Sequence, residues 1–376
     1  MIKIGITGQS GFVGTHLFNT IGLHPQKYEK VHFEDSFFED TSKLNNFISS
    51  CDVIVHLAAM NRHNDPEVIY NTNIKLVKQV IEACETTGSK PHILFSSSTQ
   101  EERDNLYGRS KKEGRILFEK WARESGSSFT GLIIPNVFGP FGHPYYNSVV
   151  ATFCHQLTHN EIPKIDIDGE LKLIYVGELV DYILKKIDEQ NAKPEQIDNF
   201  IVPFNYSIKV SDLLTKLRTI KEQYFENGMI PDLNNTLYRN LFNTLITYID
   251  HKSFFPFLLK LNTDDRGSFV ETVKLNSGGQ ISFSTTKPGI TRGNHFHTRK
   301  AERFAVINGK ARIELRRIGT EDKLSFELDG KSPSFVDMPI WFTHNITNVG
   351  DDEVLTIFWI SEHFDASDPD TFFEQV

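Results

Sequence analysis

Short apolar runs alternate with longer amphipathic ones through the first half of the chain. "KIGIT" has the period of a strand, and "GFVGTHLFNTI" follows it with the spacing of a helix. "DVIVHLAA", "PHILFSSS" and "FTGLIIP" are short apolar runs that predict further buried strands. Between the first two, "NTNIKLVKQVIEACETTG" sets Ile74, Val77, Val80, Ile81 and Cys84 on one helical stripe and ends at Gly88. Strands that alternate with helices predict an α/β fold, a doubly wound parallel sheet with right-handed crossovers.

From about residue 160 to 250 the order loosens. "KVSDLLTKLRTIKEQYF", with Ser211 as N-cap, and "NNTLYRNLFNTLITYI" predict helices of a small substrate lobe packed on the sheet. After "HKSFFPFLLKLNTDDRGSF" the pattern becomes short, β-rich segments separated by turn residues: "GQISFSTT", "RFAVIN", "ARIELRRI", "KLSFELDG" and "VLTIFWI". Asn308-Gly309 between two of them predicts a hairpin. This part reads as an all-β barrel or double-sheet jelly roll, which divides the chain into residues 1–252 and 253–376. There is no internal repeat and no low-complexity tract.

Composition agrees with two domains: 376 residues suffice for two at roughly 100–200 residues each. With 39% hydrophobic and 24% charged residues, each can bury a core and global disorder is excluded. The net charge of −9 speaks against a nucleic-acid surface. Cys51, Cys84 and Cys154 stand far apart with no CxxC pair, so a disulfide framework is not expected and a reducing compartment is. With no signal leader and no long apolar stretch, a soluble cytoplasmic protein with no membrane partner is expected.

"TGQSGFVG" places Gly8, Gly11 and Gly14 between the first strand and first helix. Such glycines permit a tight turn and let a pyrophosphate approach the backbone at the helix N-terminus. The GxxGxxG spacing resembles the extended short-chain dehydrogenase/reductases, which have a Rossmann-type sheet. That comparison demands a YxxxK pair, and "YGRSK" supplies Tyr107 and Lys111 one helical turn apart, after Ser98 of "FSSSTQ". In this arrangement the lysine lowers the phenol's pKa, and phenol and serine meet the same substrate oxygen. "HLAAMNR", Asn73 and "PNVFGP" resemble further cofactor-side stretches of that superfamily. The residues expected at the cofactor are Gly8, Gly11, Phe12, Val13, Gly14, Glu34, Leu57, Ala58, Arg62, Asn73, Tyr107 and Lys111. Glu34 and Asp35, about twenty residues past the turn, suit the ribose hydroxyls of NAD.

In the second part, Gly289, His295, His297, Glu302 and Gly309 fit G-x5-H-x-H-x4-E-x6-G, the first cupin motif. Strand alternation puts His295 and His297 on one face, and "PIWFTHNITN" offers His344. Three imidazoles and one carboxylate suit one zinc or another divalent first-row metal. Trp341 stands where the second cupin motif has glycine, which bears on the pocket's shape. "DDRGSF" resembles the DxRGxF segment of cupin epimerases that act on nucleotide-linked 4-keto-6-deoxy sugars; there Arg266 would bind a phosphate or polarise a keto oxygen.

Across almost its whole length the chain resembles the bifunctional CapF-type enzymes of bacterial capsule and O-antigen synthesis. The matching stretches are "TGQSGFVG", "IVHLAAMNR", "YGRSK", "YNSVVATFCHQLTHNE", "DDRGSF", "TKPGITRGNHFH" and "PIWFTHNITNVGD". The resemblance implies a UDP-linked 2-acetamido-2,6-dideoxy-4-keto hexose of the L-arabino series as substrate. The cupin would epimerise carbon 3 and the reductase would reduce carbon 4, giving UDP-N-acetyl-6-deoxy-L-talosamine on the route to UDP-N-acetyl-L-fucosamine. It also implies NADPH, zinc, and a homodimer or higher homo-oligomer. After "VH" the family pattern offers an arginine for a 2′-phosphate, whereas this chain has Phe33-Glu34-Asp35. NADP(H) is therefore placed slightly ahead of NAD(H). The alternatives are an NAD-dependent nucleotide-sugar epimerase or dehydratase whose cupin only dimerises or binds sugar, and a non-catalytic sugar sensor, which the intact Ser98, Tyr107 and Lys111 disfavour.

Overall fold

The computed structural model describes every residue except 192–195 and 266, so Arg266 lies outside the described residues. The chain forms two compact units: Met1–Val149 with Gly169–Lys209, and Val150–Asp168 with Val210–Val376. Among the described residues no helix is long and apolar enough to cross a membrane.

The first unit is built on a 6-stranded sheet. Its strands are β1 (Ile2–Thr7), β2 (Tyr28–Val31), β3 (Val53–His56), β4 (His92–Ser98), β5 (Phe129–Ile134) and β6 (Ile197–Ile201). They lie in the order β2-β1-β3-β4-β5-β6 and every pairing is parallel. Strand alternation feeds two cores. Val53, Val55 and Leu94 point to one, and Ile54, Ile93 and Phe95 to the other. Both faces are covered, which is why these strands read as continuous apolar runs.

Helix α1 (Phe12–Gly22) follows β1, α2 (Pro66–Thr87) precedes β4, and α3 (Leu106–Ser125) follows it. The expected stripe of α2 is buried at Ile74, Val77, Val80 and Cys84. This helix begins earlier than its apolar period suggested, because Asp65 caps Glu67 N–H at 2.9 Å and Pro66 occupies the first turn. It ends at Gly88, whose φ of +66° is the left-handed cap glycine favours. The chain leaves β1 toward β2 on one side and returns to β3 on the other. The sheet's switch point therefore lies at the C-terminal ends of β1 and β3, the usual crevice for a nucleotide.

The second unit joins helices to two antiparallel sheets. Its main strands are β7 (Gln280–Thr286), β8 (Thr291–Phe296), β9 (Glu302–Asn308), β10 (Lys310–Arg317), β11 (Lys323–Asp329), β12 (Ser334–Met338), β13 (Phe342–Asn348) and β14 (Val354–Ile360). One 5-stranded sheet runs Phe257–Leu258, β12, β9, β14, β7; the other runs β11, β10, β13, β8, Phe372–Phe373. This is the expected double-sheet arrangement.

Three expectations change. Asn308-Gly309 does not make a hairpin: β9 and β10 belong to different sheets, and the glycine, at φ +80°, carries the chain from one to the other. A Cβ there would meet Val354 Cγ2 at 2.9 Å, so the same left-handed demand that marks hairpins here marks a crossing. Ser211 does not cap its helix, α4 (Val210–Lys221); it lies in the first turn, where Asp168 accepts its N–H at 2.8 Å and its hydroxyl at 2.9 Å. The helices α4 and α5 (Thr236–Leu245) group with the β-rich unit rather than with the parallel sheet, so the compact units do not divide at 252/253.

A buried ion pair explains that grouping. Arg303 on β9 forks onto Asp337 on β12, Nε to Oδ1 at 2.7 Å and Nη2 to Oδ2 at 2.9 Å. The same guanidinium donates to the carbonyl of Gly228 at 2.6 Å, and the Tyr224 hydroxyl donates to Asp337 at 2.5 Å. Arg303 and Tyr224 are each 1% exposed, so the segment after α4 is tied to the sheet by groups that water cannot serve. Replacing Arg303 alone with Met should cost about 3–5 kcal/mol in urea unfolding, because it leaves the Asp337 carboxylate buried without its cation. The pair Arg303→Met with Asp337→Leu should recover most of that loss; if the double variant is as unstable as the single one, the ion pair is not the source.

Candidate functional sites in the two units

The glycine turn is shaped by close approach. A Cβ on Gly14 would sit 2.2 Å from Gly8 O, and one on Gly8 would sit 2.8 Å from Ala58 N. Gly8 also has φ +72°, and Gly11 N–H closes the turn on Gly8 O at 3.1 Å. Helix α1 starts at Phe12 with no side-chain cap, so its first amides, with Phe12 and Val13 in that turn, are presented at the sheet's switch point. Leu57 N–H donates to Thr7 O at 3.1 Å and Ala58 N–H to the Thr7 hydroxyl at 3.4 Å, which seats the end of β3 beside the turn. The backbone thus forms a cradle that side chains would fill, and it fits a dinucleotide pyrophosphate.

Asp35 reaches this turn, where it accepts the Ser10 hydroxyl at 3.3 Å. Glu34 is exposed, bound by His32 at 3.1 Å and Ser36 at 3.2 Å, contacts that hold its carboxyl below the usual range. The Arg62 guanidinium is engaged by the carbonyls of Tyr145 and Tyr146. Asn73 is a strut: it accepts Met60 N–H at 2.7 Å and donates to Met60 O at 3.1 Å and the Ser110 hydroxyl at 3.0 Å. It ties the loop after β3 to the helix that carries Tyr107.

Ser98, Tyr107 and Lys111 lie together, with electrostatics that differ from the motif's usual account. Burial pushes the Tyr107 phenol up to about 12, against a hydrogen bond with Ser98 that lowers it. The expected lowering by lysine is not what dominates here. Lys111 is itself buried, and burial pulls its ammonium down to about 8 against the opposing carboxylate of Glu101. Its Nζ donates to Ser96 O at 2.9 Å and lies 5.9 Å from the Tyr107 ring centre. The phenol therefore carries its proton at neutral pH, as a proton donor must.

In the other unit, strand alternation and register aim the expected metal set at one point. His295 on β8 pairs with His344 on β13, and Glu302 opens β9 in the facing sheet. Candidate ligand atoms of His295, His297, Glu302 and His344 all lie within 4.8 Å of one another. Glu302 Oε2 is 3.0 Å from His344 Nε2, 3.2 Å from His297 Nε2 and 4.0 Å from His295 Nε2. Yet the His297 and His344 Nε2 atoms and Glu302 Oε2 are buried with no aligned hydrogen-bond partner. Groups so placed need something to bind, and neutral imidazoles with one carboxylate suit a divalent first-row ion. Burial, then His344, lowers His295 to about 4, so its ring stays neutral and able to donate a lone pair. Burial would raise Glu302, but His297 and His344 hold it well below the usual carboxylate range.

The two parts of the chain each match a known family. The model of the NAD dependent epimerase/dehydratase family matches residues 4–199, and that of the polysaccharide biosynthesis C-terminal domain matches residues 262–372. The UDP-2-acetamido-2,6-beta-L-arabino-hexul-4-ose reductase of Pseudomonas aeruginosa is 34% identical over 379 residues, covering 99% of this chain and 98% of its own. The crystal structure of the capsular polysaccharide assembling protein CapF from Staphylococcus aureus is 33% identical, with a TM-score of 0.61 and 100% of both chains covered. The chain belongs to the CapF family. It is thereby an enzyme, of the oxidoreductase class. RMD from Pseudomonas aeruginosa, solved with NADPH, shares the fold of the first unit at 19% identity and a TM-score of 0.52, over 59% of this chain and 83% of its own.

Within this CapF family member, sequence reasoning overlooked several supports. Gly108 follows the tyrosine because a Cβ there would meet Gln100 O at 2.1 Å. Glu101 is buried, takes Arg115 Nη2 at 2.7 Å and Nε at 2.9 Å, and accepts the Ser97 hydroxyl, which fixes the turn between Ser98 and Tyr107. The Gly108 neighbour of the YxxxK pair was a visible signal; the Glu101 contacts were not.

If Lys111 must be charged for reduction, the rate should fall on the alkaline side with a midpoint near its value of about 8. The Lys111→Arg variant keeps its charge throughout, so its pH–rate profile should lack that limb even at a lower rate. The same limb in the variant would assign the titration to another group. For the metal set, elemental analysis of protein purified without chelator should find one ion per chain, and His344→Ala should lose most of it. No ion in the parent protein would make the cluster a polar lining.

Proposed function

We propose that the chain is a bifunctional nucleotide-sugar enzyme of polysaccharide synthesis. Its β-rich unit epimerises carbon 3 of a UDP-2-acetamido-2,6-dideoxy-4-keto-L-hexose, and its parallel-sheet unit reduces the carbon 4 ketone. The product is UDP-N-acetyl-6-deoxy-L-talosamine, on the route to UDP-N-acetyl-L-fucosamine. The observation that carries this reading is the convergence of His295, His297, Glu302 and His344 in a chain that also unites Ser98, Tyr107 and Lys111.

A ketone acidifies the hydrogen on the neighbouring carbon, so one 4-keto sugar can serve both sites. A reduced nicotinamide dinucleotide with its pyrophosphate on the glycine turn would supply hydride, and a divalent ion, zinc by kinship, would supply a Lewis acid among the imidazoles. Arg266, upstream of them in the same half of the sequence, is the proposed cation for the keto oxygen or a phosphate. In the reductase unit the Tyr107 phenol hands its proton to the carbon 4 oxygen, Ser98 hydrogen-bonds that oxygen, and Lys111 would hold the nicotinamide ribose. Kinship keeps NADP(H) slightly ahead of NAD(H), although Asp35 beside the turn suits a free ribose hydroxyl. We place the functional division near 252/253 and expect a cytoplasmic homodimer or larger homo-oligomer.

The test is the full chain with the UDP-4-keto sugar in deuterated water, with and without NADPH. Without cofactor, deuterium should enter at carbon 3; with it, the ketone should disappear. Tyr107→Phe should keep the exchange and lose reduction by roughly 10²–10⁴-fold. Loss of exchange in a folded, metal-loaded Tyr107→Phe protein would place both steps in one site and overturn the division of labour.

A further inference from the structure

Residues 368–376 run past the metal set and touch the surroundings of every histidine in it. His297 Nδ1 hydrogen-bonds the main-chain carbonyl of Asp370. A carbonyl can only accept, so the Nδ1 carries a proton, and in the neutral ring that a metal binds the lone pair is left on Nε2, the atom beside Glu302. Two residues on, Phe372–Phe373 pairs with β8 in the register His295 to Phe373 and Phe296 to Phe372. Glu374 N–H donates to Asn294 O at 3.0 Å, at the irregularity between Gly293 and His295, where Asn294 itself has φ +60°. The Thr343 hydroxyl, next to His344, donates to Glu374 O.

What holds this segment is the Asp370 side chain, which is 4% exposed. Its Oδ1 accepts Thr298 N–H at 3.1 Å and the Thr298 hydroxyl at 2.6 Å. Its Oδ2 accepts the N–H groups of Arg299 at 3.1 Å and Lys300 at 3.2 Å. One carboxylate thus caps the loop directly after His297 while its own carbonyl orients the His297 ring. Asp370 has φ +39°, a backbone conformation rare outside glycine and kept only where the surroundings impose it.

We propose that residues 368–376 are a positioning strap for the metal centre, with Asp370 as the positioning residue that selects the Nε2 lone pair of His297. This rests on reading His295, His297, Glu302 and His344 as metal ligands. Asp370 does not itself touch the ion and takes no part in the reaction; through its carbonyl it sets how well one imidazole is aimed. An ion bound by a well-aimed set loses affinity when an outer hydrogen bond is removed, commonly by 10–100-fold.

The experiment strips the full-length protein of metal and titrates Zn²⁺ and Co²⁺ against a chromophoric chelator, with far-UV circular dichroism and melting of the metal-free form alongside. Asp370→Asn keeps the volume and tolerates positive φ, but turns an amide nitrogen against donors. Its Kd for both ions should rise by roughly 10–100-fold, with a changed Co²⁺ visible band and little change in metal-free melting. Glu327→Ala, an exposed side chain of β11 outside the strap, should keep parental affinity. Parental affinity in a folded Asp370→Asn protein, or a loss confined to metal-free melting, overturns the strap while leaving the metal reading intact. A parent protein that binds neither ion overturns both. Should Asp370→Asn not fold, the decision passes to Thr298→Val, which removes only the hydroxyl contact. Weaker Co²⁺ binding with parental melting supports the strap, and parental affinity overturns it.

Discussion

A hydrogen bond from a buried side chain to a main-chain carbonyl fixes the reactive geometry in both units. Lys111 reaches Ser96 O, His344 Nδ1 reaches Phe342 O at 3.2 Å, His297 Nδ1 reaches Asp370 O, and Arg303 reaches Gly228 O. Each donor lies where water is scarce, and a buried polar group left unpaired costs about 1–3 kcal/mol. The backbone therefore selects one rotamer and, for a neutral imidazole, one tautomer. What remains is a single unspent function aimed into the site: an ammonium beside a phenol in one unit, and an Nε2 lone pair beside a carboxylate in the other.

The two sites differ in what burial does to them. At Tyr107 burial keeps the phenol protonated, and at Lys111 it weakens the ammonium; both follow from disfavouring charge. At the histidine set, burial keeps His295 neutral, and the neighbouring imidazoles keep Glu302 ionised. One suits delivery of a proton, the other suits holding a cation. A ketone next to an acidic carbon–hydrogen bond needs both, which is the physical reason to carry them on one chain under the proposed function.

How much of this was legible depended on how local the cause was. Gly14 answers to contacts within six residues and Gly8 to its own positive φ, so the turn could be read directly. His295 and His297 are two apart on a strand, and Glu302 follows closely, so their common aim could be anticipated; Trp341 could be noticed only as a departure. Asn308-Gly309 was misread because positive φ serves a hairpin and a crossing between sheets equally well, and only the pairing of β9 and β10 decides. The direction of the Tyr107 shift needed knowledge of burial. Asp370 stands 73 positions from His297, and nothing in its neighbourhood marks it. The helices before β7 looked like part of the first half because Arg303 and Asp337, which claim them, lie far downstream.

Trp341 shows why such departures need not disturb the chemistry. It occupies the place of a motif glycine and keeps the glycine's backbone, with φ +63°. An L-residue there costs roughly 1–2 kcal/mol, so something must hold it. Its N–H donates to His297 O at 2.7 Å, its carbonyl takes Ile318 N–H at 2.9 Å, and its ring stacks on Phe296 at 5.7 Å between centres. The residue is 8% exposed, and burying a large apolar side chain returns about 1.5–3 kcal/mol, enough to offset the strain. With the left-handed turn in place, β13 pairs with β8 and His344 faces His295. The substitution changes what fills the space beside Phe296, not where the ligands point.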